Sequence, residues 1–145
     1  MEEVKTAEIR EKILCYLEEI HEMQKQVIDL YKEIGELNFE IYIRNSNISY
    51  IKTDIEYIEE KIDELKKQFK NNKIMEEVKT AEIREKILYH LEELHKMQKK
   101  VIDLYKEIGE LNFEIYIRNS NISFIKTDIE YIEEKIDELK KQLKK

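Results

Sequence analysis

The sequence predicts an all-α protein, on three observations. Charged and apolar residues each make up 41% of the 145 residues, with two glycines and no proline. Compact β and α/β folds draw their turns from glycine and proline, so this composition leaves long helices. Apolar residues also recur at 3-4 spacing along nearly the whole chain, the period of helices that pack side by side. Finally, the chain is one segment written twice: residues 1–71 and 75–145 agree at 63 of 71 positions, at an offset of 74. The expected architecture is a pair of tandem helical hairpins, 1–70 and 75–145, joined by a linker at 71–74. They would form a pseudo-two-fold four-helix bundle or an elongated antiparallel coiled coil.

With Ile13 placed at heptad position a, the a series of the first copy reads Thr6, Ile13, Ile20, Val27, Ile34, Ile41, Ile48, Ile55, Ile62 and Phe69. The d series reads Ile9, Tyr16, Met23, Leu30, Leu37, Arg44, Ile51, Ile58 and Leu65. The second copy repeats the ladder with Ile87, Leu94, Val101, Ile108, Ile115, Ile122, Ile129 and Ile136 at a, and Ile125, Ile132 and Leu139 at d. These residues are the expected interface and core. Arg44 and its mate Arg118 interrupt the d series. A charge at one seam position sets register or orientation at a cost in stability, which makes the two arginines candidate register residues.

Leu14, Leu17, His21, Ile28 and Tyr31 form a second stripe, at b and e. A helix with two stripes touches two neighbours, which favours a bundle over a simple pair. The second half of each copy has one narrow stripe, flanked by Glu56, Glu59, Glu60, Lys61 and Asp63.

Two places in each copy can turn. Gly35 suits a helix C-terminus, with Asn38 capping the next helix. Asn45, Ser46 and Asn47 are three poor helix formers in a row, suited to a tight connection. If both break, the β-formers at 39–43 and 48–51 pair as strands, and Thr53 with Glu56 caps a following helix. That is the alternative fold, helix–β-hairpin–helix in each repeat. The heptad phase also permits one unbroken helix per copy.

Five of the eight differences between copies cluster at 15–26: Cys15/Tyr89, Tyr16/His90, Ile20/Leu94, Glu22/Lys96 and Gln26/Lys100. The others are Tyr50/Phe124, Phe69/Leu143 and Asn71/Lys145. Glu-x-x-His occurs as Glu18–His21 and Glu92–His95. It matches the Glu-x-x-His pairs of ferritin-like di-metal carboxylate bundles, for which Glu56 or Glu59, with Glu130 or Glu133, would supply the two further carboxylates. Heptad phase opposes such a site, because Glu18 falls at f, away from the seam. Cys15 has no counterpart in the second copy, so it is a poor candidate nucleophile. His90 falls at d, as a boundary imidazole. Phe39, Tyr42, Tyr50 and Tyr57 fall on outward positions, which points to another interface or, more simply, to partial burial against a neighbouring hairpin.

The net charge of −7 disfavours nucleic acid and anionic lipid as partners. No apolar run is long enough to span a bilayer, and the acidic start has no apolar leader, so a cytoplasmic address is expected. There is no glycine-rich phosphate loop and no zinc-like Cys/His spacing. The expected function is therefore non-enzymatic, without catalytic residues, cofactor or metal. The chain would be a structural protein or assembly module whose partners are its own copies, in homo-oligomers, or other amphipathic helices. The rivals are the di-metal bundle and an engineered single chain with no natural task.

Overall fold

A computed structural model describes residues 2–71 and 77–144, and it contains two helices: α1 (Glu2–Asn71) and α2 (Glu77–Lys144). No strand occurs among the described residues, so the helix–β-hairpin–helix alternative is incorrect. Neither copy folds back on itself. α1 continues through Gly35 and 45–47, and α2 continues through Gly109 and 119–121. The hairpin expected within each repeat is replaced by one helix per repeat. Of the expected linker, Asn71 is the last residue of α1, and 72–74 lie outside the described residues.

The energetics explain the missing turns. A glycine inside a helix costs about 1 kcal/mol relative to alanine, and asparagine or serine costs less. Burying one isoleucine contributes about 1.5–3 kcal/mol, so a seam that stays in phase across the weak formers outweighs them. Gly35 and Gly109 keep ordinary helical backbone, with no positive φ. The side chain expected to cap a new helix folds back instead. The Thr53 hydroxyl donates to the Ser49 carbonyl at 3.0 Å, and Thr127 does the same to Ser123 at 3.0 Å. Both are one-turn bonds within an intact helix.

The chain packs as two compact units, Met1–Asn38 with Asn112–Lys145, and Phe39–Leu111. Each pairs the first half of one copy with the second half of the other. In the first unit Ile20, Ile132 and Ile136 form a buried cluster, with Ile13, Tyr16, Met23 and Ile129 packed on it. Val27 and Ile122 are also buried there. The second unit buries Ile48, Ile58 and Ile62 of α1 and Ile83, Val101 and Leu111 of α2. Among the described residues, every a and d side chain is buried or half-buried except Phe69, at 36% exposed. Buried side chains in both units retain a few per cent exposure, as expected where a seam has one neighbour and open flanks.

A β-carbon added at Gly35 or Gly109 meets nothing within 4 Å. Gly35→Ala with Gly109→Ala is therefore expected to stabilise the chain by up to about 1 kcal/mol per site, through helix propensity alone. Urea melts followed by circular dichroism would check this. An unchanged or lower midpoint would show that the glycines serve something other than a helix.

Candidate interaction seam and its flanks

In each unit α1 and α2 run antiparallel, and the same polar contacts flank the apolar seam. In Phe39–Leu111, Arg44 Nε donates to Glu107 Oε2 at 3.4 Å, and its Nη1 donates to the Glu40 carbonyl one turn back at 3.2 Å. In the other unit Arg118 Nε approaches Glu33 Oε2 at 3.5 Å, and its Nη1 reaches the Glu114 carbonyl at 3.2 Å. The Arg118 Nε is shielded from solvent and makes no hydrogen bond, so this second contact is an ion pair only. The register candidates thus lie beside the seam, with each guanidinium leaning toward a half-exposed glutamate on the opposite helix.

The other flank carries a lysine–tyrosine pair in each unit. Lys52 Nζ donates to the Tyr105 hydroxyl at 2.9 Å and lies 5.4 Å from that ring's centre. Lys126 donates to Tyr31 at 2.9 Å and lies 5.3 Å from the ring. With the nitrogen 2.9 Å from the hydroxyl oxygen and more than 5 Å from the ring centre, each ammonium sits off the hydroxyl end of the phenol, so the contact is a hydrogen bond between exposed groups. Near the end of α1, Arg84 stacks over Phe69 at 5.3 Å.

The sequence offered no direct sign of Glu33, Glu107, Lys52 or Lys126 as cross-seam partners. Their heptad positions were the available signal. An antiparallel pair brings g beside g and e beside e, and Lys52 and Tyr105 both fall at e. Glu107 falls at g, next to the d position of Arg44.

The remaining candidates are scattered. Glu18 and His21 lie exposed in one unit, and Glu92 and the exposed His95 lie in the other. Among the described residues no three His, Cys, Asp or Glu side chains converge as metal ligands. Cys15 is exposed. His90 is half-buried, and its Nδ1 is shielded and unpartnered. Beside it, the Tyr89 phenol is pushed above its ordinary range because it hydrogen-bonds to the Glu93 carboxylate, whose charge adds to the effect.

The outward aromatics are not partly buried as expected. Phe39, Tyr42, Tyr50 and Tyr57 are all more than half exposed, and Phe39 stacks only on Tyr42, at 6.5 Å between ring centres. The correction follows from the missing hairpin, since neither unit contains a third helix to cover them. Tyr50 instead borders an open groove with Asn47, Ile51, Lys100, Asp103 and Leu104. Phe124 borders its counterpart with Gln26, Asp29, Leu30, Glu33, Asn121 and Ile125. No helix among the described residues is long and apolar enough to cross a membrane.

No protein-family model, curated protein or solved structure matches the chain.

Proposed function

We propose that this chain is a non-enzymatic structural module: a self-pairing antiparallel coiled coil in which two copies of one helix are carried on a single chain. The supporting observation is the duplication of its cross-seam contacts. Adding 74 to Arg44 gives Arg118, and subtracting 74 from Glu107 gives Glu33. The same shift turns Lys52–Tyr105 into Lys126–Tyr31. Each copy therefore offers the other the same residues that it receives. That reciprocity is what a two-fold homodimer of a single copy would have. Joining the copies turns a concentration-dependent association into an intramolecular one, which keeps the scaffold assembled when dilute. The ladder from Ile13 to Leu65 and its repeat from Ile87 to Leu139 would supply the adhesion. Arg44 and Arg118 would select the register.

A peptide of residues 1–74 tests this. It is expected to form a helical dimer, seen by sedimentation equilibrium, with a melting temperature that rises with concentration. A folded monomer at every concentration, or a parallel dimer, would remove the basis for the proposal.

A further inference from the structure

The seam leaves a second apolar stripe open in each unit, touched at its tyrosine end by Lys126 on Tyr31 and by Lys52 on Tyr105. In the first it is Leu14, Leu17, Ile28 and Tyr31, exposed at 61%, 46%, 65% and 48%. In the other it is Leu88, Leu91, Ile102 and Tyr105, at 61%, 41%, 65% and 48%. These b and e positions lie about 100° round the helix from the seam, where a helix in a bundle meets its second neighbour. We infer that each stripe is a docking face for the same stripe of a second copy of this chain, laid antiparallel. The inference rests on reading the chain as an assembly module, and it names the surface through which whole chains meet.

The charges beside the stripe point to that occupant and that orientation. The f positions along its outer edge read Glu11, Glu18, Lys25 and Lys32, two acids followed by two bases. A second copy laid antiparallel and centred between His21 and Gln24 sets Leu14 against Tyr31 and Leu17 against Ile28. In the same register Glu11 comes beside Lys32 and Glu18 beside Lys25 of the incoming helix. A parallel copy would set the f edge of one helix beside the opposite, a edge of the other, so these acids would not meet these bases. The other stripe has the same order, Glu85, Glu92, Lys99 and Lys106, so either stripe can receive either.

Area sets the strength. Four half-exposed side chains present roughly 400 Å² of apolar surface, at about half the area a large side chain can bury. A stable complex needs about 800 Å² per partner, so a single stripe gives a weak contact. Each unit carries one stripe, so a chain has two such faces. Association is therefore expected to rise steeply with concentration.

Sedimentation velocity on the full chain, from micromolar to millimolar, tests the inference. The expected result is a species heavier than one chain that grows with concentration. Ile28→Glu with Ile102→Glu should return it to a single chain while leaving helicity and melting temperature unchanged, because neither residue lies in the seam. Reversing Lys25, Lys32, Lys99 and Lys106 to Glu should weaken association roughly tenfold or more. Adding Glu11→Lys, Glu18→Lys, Glu85→Lys and Glu92→Lys should restore it. A wild-type chain that stays single at all concentrations overturns the inference, as does assembly indifferent to Ile28→Glu with Ile102→Glu or to the reversals. Unchanged melting in those variants keeps a failure here distinct from a failure of the seam.

Discussion

Ile62→Asp combined with Ile136→Asp is expected to unfold the protein at room temperature. The two isoleucines are the same position in the two copies, one in each compact unit, and each is 4% exposed. Ile136 packs directly with Ile20 and Ile132. Each change forfeits about 1.5–3 kcal/mol of apolar burial. It also moves a carboxylate out of water, and together the two terms reach about 3–5 kcal/mol per site. A domain of this size holds roughly 5–15 kcal/mol in total, so two such losses consume most or all of it. The control is Leu14→Asp with Leu88→Asp, where both leucines are 61% exposed. A surface change of that kind should move stability by about 0.5 kcal/mol or less. Helical signal in urea titrations separates the cases. If the buried and exposed pairs shifted the midpoint equally, the a and d residues would not be the adhesive seam.

The helical fold and the seam could be read from the residues because both depend on local periodicity. A stripe repeated every seventh residue is visible without any knowledge of the partner. Gly35 and Asn45–Ser46–Asn47 look like breaks when taken alone, yet the helix runs through both. The decisive sign was one of phase. Ile34, Leu37, Ile41, Arg44 and Ile48 pass through both candidate turns without losing an a or d position, whereas a turn normally resets the count. Phe39 to Ile43 misled in the same way. Their β preference is worth at most about 1 kcal/mol and depends on having a sheet to join. The pairing of Arg44 with Glu107 was harder to see, because it depends on which copy faces which and in what direction. Periodicity carries no information on either. The exposed stripe from Leu14 to Tyr31 was visible in the sequence as a demand for a second neighbour. Because one chain leaves that demand unmet, its occupant would come from another chain.

Arg44→Leu with Arg118→Leu is expected to raise stability while loosening register. Both arginines sit at d, their side chains 28% and 27% exposed, in contact with glutamates that are about half exposed. Leucine would fill the seam and continue the apolar ladder. The released Glu107 and Glu33 can be hydrated where they stand, so no unpaired charge is left buried. Replacing such partly buried ion pairs with apolar side chains is commonly neutral or stabilising by about 1–4 kcal/mol. Removing only the acids, by Glu33→Gln with Glu107→Gln, should cost under about 1 kcal/mol, as for other exposed pairs. The arginines would then act mainly by selecting among alternatives. A uniform ladder of isoleucine and leucine packs nearly as well after a slip of one heptad, whereas a slip toward Lys100 sets Arg44 against a like charge. The leucine variant should therefore melt later, yet show extra amide resonances or faster hydrogen exchange at the helix ends. A lower melting temperature would mean that the arginines stabilise the seam directly. A later melt with one sharp set of resonances would mean that register is fixed elsewhere, with the Lys52–Tyr105 and Lys126–Tyr31 pairs as the next residues to change.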